Sequence, residues 1–169
     1  MPQPSIEQQL IDGRLDLGIL HAPSGNARVE NHQVGRDPLR LLVQTGFTMT
    51  PDSAALCDLG FIDHPDGQNL FGRIRSANFD GAPRPEKPRI FLNQIAQILR
   101  PVEAGLGFTV LPNSAYEALR GEVAVNVAQL GTPVADPIWV SRHRRSQVPA
   151  RFAPVIAMVE ALATRHSAS

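Results

Sequence analysis

Lysine is almost absent: Lys87 is the sole example, every other basic residue is an arginine, and 16 basic side chains face 16 acidic ones for a formal net charge of zero. A domain that grips nucleic acid by itself needs a surplus of Lys and Arg to meet phosphates. These residues are therefore not expected to hold DNA unaided. Cysteine is as scarce. Cys57 stands alone, so no internal disulfide can form, and a reduced, cytoplasmic setting is expected. No apolar run approaches the ~18 residues that cross a bilayer. The start, Met1 to Ser5, has neither the basic nor the apolar stretch of a signal peptide, so no membrane contact is expected. A Gly-x-Ser-x-Gly elbow and a Cys–His pair at recognisable spacing are both missing, which argues against nucleophilic catalysis.

What is present is 169 residues, 43% hydrophobic, enough for one large domain or two small lobes around a real core. Ser5 followed by Gln8 reads as a capping box opening a short helix that carries Ile6, Leu10 and Ile11 on one face, and Gly13 can end it. Apolar runs at 15–20, 39–43, 59–62, 89–92, 108–111, 122–127 and 137–140 read as strands. Residues 50–54 read as a loop, 70–79 as a helix, and the proline-rich stretch 81–88 as irregular. Asn93 is expected to cap a helix bearing Ile95, Ile98, Leu99 and Val102, with Pro101 interrupting it or kinking its last turn. Pro112 opens another helix through Leu119. A last helix carries Phe152, Val155, Ile156, Val159 and Leu162, with Pro149 suited to a first helical position and Pro154 tolerated only if the helix begins late. Strands alternate with helices throughout, which points to an α/β fold with mainly parallel sheets.

Three stretches carry a family resemblance. Leu10-Ile11-Asp12-Gly13-Arg14-Leu15-Asp16-Leu17-Gly18-Ile19 is similar to the helix–Gly–strand step of the effector-binding domain of LysR-type transcriptional regulators. Val102-Glu103-Ala104-Gly105-Leu106-Gly107-Phe108-Thr109-Val110-Leu111-Pro112 resembles that family's step from helix to strand to helix, and is the most specific of the three. The segment 141–162 is similar to its final strand, basic loop and last helix. The resemblance implies a two-lobed fold of the type 2 periplasmic-binding-protein kind, with a small effector, often a carboxylate, held between the lobes. Residues 1–36 with 132–169 would form the first lobe and 37–131 the second. Family members associate as dimers or tetramers and reach DNA through an N-terminal helix-turn-helix. That element, its linker helix and the first strand, helix and second strand of the first lobe have no counterpart in these residues. A first lobe of this composition is expected to leave an apolar edge near Leu15, Leu17, Ile19 and the strand around Trp139, a surface that recruits other chains.

The candidate site residues follow from both readings. Asn93, at the amide end of its expected helix, would draw an anion by the helix dipole; a plain helix cap is the alternative. Asp63-His64-Pro65-Asp66 is a turn signal before it is a metal or acid/base cluster, because adjacent turn residues point in different directions. The resemblance places that strand end at the cleft, which makes Asp63 and His64 candidate effector contacts, and gives His21, at the end of the 15–20 strand, the same standing. Phe108 and Thr109 are candidates by the same argument, with core packing as the default. Gly105-Leu106-Gly107 is no dinucleotide fingerprint, since Val110 stands where the third glycine is needed; the glycines instead suit a tight turn and close backbone approach. Cys57 is read as a bystander thiol. Arg142-His143-Arg144-Arg145 reads as a solvated loop. No cofactor and no metal are expected, and the chain is read as a sensor. The alternatives are a transporter's solute-binding protein, which shares the fold, and a small enzyme using His64 or His21.

Overall fold

The computed structural model describes residues 3–48, 50–79, 81, 87–121, 123–146 and 149–167, with side chains as far as residue 161. Most of the proline-rich stretch at 81–88, Glu122 and the side chain of Leu162 lie outside the described residues. The elements are α1 (Gln3–Ile11), β1 (Gly18–Leu20), β2 (Val29–Gln44), α2 (Ser53–Leu59), β3 (Ile62–Asp63), α3 (Gly67–Asn78), β4 (Ile90–Phe91), α4 (Leu99–Glu103), β5 (Thr109–Pro112), α5 (Asn113–Leu119), β6 (Val125–Val127), β7 (Ala135–His143) and α6 (Ala153–Ser167). Single 3-10 turns occupy Ile95–Gln97 and Ala150–Phe152. The chain divides into two compact units, residues 1–37 with 136–169 and residues 38–135. One cut falls between Asp37 and Pro38, the other just ahead of the Asp136-Pro137 pair.

In the first unit, β1 runs antiparallel to β7, with Gly18 opposite Ser141 and Leu20 opposite Trp139. In the sheet order β7 lies between β1 and β2, so the strand around Trp139 is internal and β1 is the edge. α1 packs Leu10, fully buried, against β1. Gly18 is required there, because a Cβ would meet the Ile6 and Leu10 side chains. The helix already begins at Gln3. Ser5 therefore sits inside it and forms no capping box: residues 3 and 4 extend the turn upstream of the hydroxyl. Gly13 follows the helix with φ at +69°, the left-handed conformation that ends helices. A chain of polar contacts secures the loop after β1. Ser24 donates through Oγ to Glu7 Oε2 (3.2 Å) and through its amide to Asn31 Oδ1 (3.0 Å). Asn31 Nδ2 returns a bond to Ser24 O (3.0 Å), and Ser141 Oγ donates to Asn31 Oδ1 (2.8 Å).

In the second unit, the end of β2 is paired antiparallel with β5 (Leu42 opposite Thr109) and with β6 (Leu42 opposite Val127). Strand residues point alternately to two faces, and both faces are covered. Leu41, Val43, Phe61 and Val110 enter one apolar cluster with Phe71 and Ile74 of α3. Leu42, Ile62 and Leu111 enter another with Leu99 and Val102 of α4. Double coverage is why these strands read as unbroken apolar runs. The rings of Phe61, Phe71 and Phe108 meet at 5.0–5.2 Å between centroids.

The α/β architecture agrees with expectation, but strand direction differs in balance. Among the described ladders, β1–β7, β2–β5 and β2–β6 are antiparallel; β3–β4 and the Phe61–Phe108 bridge are parallel. Alternation of strands with helices along the chain signals parallel crossovers, and these occur among the short strands from β3 to β5. The 16-residue β2 collects partners that run against it.

Candidate functional site

β3 and β4 are parallel neighbours, with Ile62 opposite Ile90 and Asp63 opposite Phe91. Their carboxyl ends open into the turn that starts α3 and the loop that leads to α4. The turn 63–67 is tightly packed. Gly67 N donates to His64 O (2.8 Å), and Gly67 cannot carry a Cβ without striking the Asp63 carboxylate. That carboxylate is buried. Its Oδ1 accepts from the His64 amide (2.8 Å) and its Oδ2 from Gln68 Nε2 (3.0 Å). His64 is 3% exposed, and its Nε2 lies 2.9 Å from Val110 O. A carbonyl oxygen only accepts, so Nε2 carries the proton, and in the neutral ring the lone pair belongs to Nδ1.

The remaining candidates separate. Thr109 is fully buried and donates through Oγ1 to Ile62 O (2.9 Å), fastening β5 beside β3. Phe108 belongs to the aromatic core. Asn93 is exposed but caps no helix: the 3-10 turn begins at Ile95, its N-cap is Gln94 without a side-chain bond, and α4 begins at Leu99. The reason is Pro101. In a helix begun at Asn93 it would fall in the interior and collide with the carbonyl of Gln97. Starting at Leu99 places it in the first turn, where no amide donor is needed. His21 is exposed in the first unit, one residue beyond β1. The structure thus brings Asp63, His64, Thr109 and Asn93 to the neighbourhood of the β3 and β4 ends, and leaves His21 in the other unit.

Two residues at these strand ends escaped the sequence reading. Phe91 is 58% exposed at the last position of β4, and Ile95 is also exposed. An apolar residue in an apolar run reads as core; only the two-residue length of β4 leaves Phe91 outside. Gln68 was likewise unremarked, since nothing local marks it as the partner of Asp63.

The glycines at 105 and 107 serve packing. Gly105 has φ at +72° and lies against the Gln44 side chain, while a Cβ on Gly107 would meet the Gly60 carbonyl and Ile62. The basic run is exposed at Arg144 and Arg145, as expected of a solvated loop, but it is also anchored. Arg142 Nη2 pairs with Glu30 (2.8 Å), and Arg144 donates to the carbonyls of Arg28 (2.7 Å) and Ala27 (3.0 Å). The backbone between 26 and 30 offers acceptors that sequence position does not reveal. Among the described residues no group of three His, Cys, Asp or Glu side chains could hold a metal ion, and no helix is long and apolar enough to cross a membrane. With Asp63 and His64 bonded to their own turn and to β5, the strand ends offer surfaces for contact.

The LysR substrate binding domain profile matches residues 1–163. No curated protein matches the chain. Among solved structures, the reduced regulatory domain of OxyR2 from Vibrio vulnificus is similar over 96% of this chain and 78% of its own, at 19% identity and a TM-score of 0.73. HinK, a LysR family transcriptional regulator from Pseudomonas aeruginosa, is similar over 96% of this chain and 57% of its own, at 18% identity and a TM-score of 0.71. A mutant OxyR from Corynebacterium glutamicum is covered over 52% of its length, at a TM-score of 0.72. The chain therefore spans little more than half of such regulators and about four-fifths of an isolated regulatory domain. These structures share its fold, and the match across residues 1–163 shows that the chain belongs to the LysR substrate-binding domain family.

Proposed function

We propose that this chain is the effector-sensing part of a LysR-type transcriptional regulator, binding a small molecule at the carboxyl ends of β3 and β4 and leaving DNA to a domain outside these residues. The observation that carries the reading is the family match across residues 1–163. The placement rests on a general rule: ligands of α/β folds gather beyond the carboxyl ends of parallel strands. The burial of Asp63 and His64 favours a sensor over an acid/base enzyme, because a general base must come within hydrogen-bond reach of its substrate. The expected carboxylate loses the helix terminus that motivated it. What the strand ends offer instead is the exposed ring of Phe91 and the exposed amide of Asn93. These suit a ligand with a flat apolar body and one or two hydrogen-bonding groups.

Thermal-shift measurements with aromatic carboxylates and matched aromatic amides test this. The expected result is stabilisation by an aromatic compound that Phe91→Ala and Asn93→Ala each reduce. Stabilisation that both variants leave intact would move the site elsewhere. With zero net charge, the chain alone should give no sequence-specific band in a gel-shift assay at physiological salt; a salt-resistant band would overturn the assignment of DNA binding to another domain.

A further inference from the structure

β2 meets the carboxyl end of β5 at Arg40: Leu39 lies opposite Pro112 and Arg40 opposite Leu111. β5 runs parallel beside β3 through the Phe61–Phe108 bridge. Arg40 therefore stands at the same end of the strands as Asp63, about 10 Å from β3 across β5. Alternate strand residues face opposite sides, and Leu42 lies in the cluster with Ile98 and Leu99. Arg40 shares that side with α4 and the segment that leads to it from Asn93. Its guanidinium is half-buried and held at one point. Nε donates to Asn113 Oδ1 at 2.7 Å, and Asn113 is itself buried. Among the described residues no carboxylate pairs with Arg40, and its Nη1 and Nη2 make no bond and are not sealed from solvent.

We propose that Arg40 selects the charge of the effector, its two terminal nitrogens holding a carboxylate of the ligand. The inference rests on the placement of the effector at these strand ends and adds the residue that decides what binds there. Partial burial of a cation costs solvation, which an ion pair usually offsets. Arg100 and Arg120 in the same unit have carboxylate partners although their side chains are 69% and 54% exposed. Arg40 is more enclosed, and its one bond is to a neutral amide. That bond fixes the direction of the guanidinium and leaves its charge unquenched. With Nε occupied, Nη1 and Nη2 present two parallel donors, a geometry that matches the two oxygens of a carboxylate. A preference for an anion then comes from a side chain of β2, with no helix terminus required.

Benzoate and benzamide, alike in shape and different in charge, are the probes, titrated at constant ionic strength and followed by thermal shift. The expected result is tighter binding of benzoate. Arg40→Gln, which keeps a donor for Asn113, should weaken benzoate about tenfold and leave benzamide unchanged, a split that a merely structural role would not produce. Arg40→Lys, with the charge but without the fork, should keep only part of the preference. Asn93→Ala should weaken both probes alike. If it leaves both unchanged, the placement beside β4 fails, and the role of Arg40 is still read from Arg40→Gln. A benzoate preference that survives Arg40→Gln, a preference for benzamide, or no response to either probe at millimolar concentration overturns the role of Arg40.

Discussion

The two units are held together by different means. In the unit formed by residues 38–135, a sheet covered on both faces buries three phenylalanines and a dense set of aliphatic side chains. In the other unit the buried apolar side chains, among the described residues, are Leu10, Leu20, Val29, Val140 and Val159. Its loop and strands are tied by Glu7, Ser24, Asn31 and Ser141, and the buried Trp139 indole N–H has no partner among the described residues. Apolar burial is nondirectional and grows with area, whereas a hydrogen bond contributes about 1 kcal/mol net but costs more when one partner is removed. The first unit therefore tolerates loss of volume better than loss of polarity, and the second the reverse.

The largest expected effect is on the apolar side of this contrast. Phe108→Ala removes the ring that both Phe61 and Phe71 contact, and should cost about 3–5 kcal/mol in denaturant unfolding. Exchange protection should fall first within residues 38–135; equal loss in both units would show that they unfold as one. Next, Asn31→Ala strips the acceptor shared by the Ser24 amide and the Ser141 hydroxyl, and should cost about 1–3 kcal/mol. The Ser24 amide should lose protection while those of β5 keep theirs. A neutral result would mean that the polar chain is ornament and the contrast false.

The smallest effect concerns pH. The Glu103 carboxyl accepts from the Ala124 amide (2.9 Å) and lies beside the Arg100 guanidinium, which together hold its pKa below the ordinary 4.5. A carboxyl with a depressed folded pKa contributes stability that is present above its unfolded value and lost as pH falls through the folded one. Glu103→Gln should remove this small contribution at neutral pH and flatten the acid limb of the stability curve below about pH 4.5, where the two proteins converge. An unchanged acid limb would remove Glu103 from the account.

The legible parts of the fold are those where burial on both faces writes itself into composition. The runs at 39–43 and 108–111 are legible because every residue there except the partly exposed Arg40 is buried. β2 was legible only in that portion. From Val29 to Arg36 it is half solvated and carries Glu30, Asn31, His32 and Gln33, so neither an apolar run nor a clean alternation marks it. α2 was hidden by its length of seven residues. Its cap, Asp52 accepting from the Ala55 amide at 2.8 Å, is a signal that could have been used. At the candidate site the turn at 63–67 was readable from its residues, while the inward bonding of Asp63 and His64 depends on β5 and α3, distant in the chain. Asn93 caps no helix because Pro101, expected to interrupt the helix or kink its last turn, instead delays its start to Leu99.

The two borders between the units have a chemical consequence. Asp37-Pro38 and Asp136-Pro137 are the two Asp-Pro pairs in the sequence, and the chain changes units at the first and one bond ahead of the second. An aspartyl–prolyl linkage is unusually sensitive to acid hydrolysis, because the carboxyl attacks its own carbonyl and the proline nitrogen leaves readily. Mild acid on the unfolded chain should release the fragment 38–136 and separate it from both flanks. That fragment matches one unit to within a residue, so the chain carries its own means of being dissected for refolding.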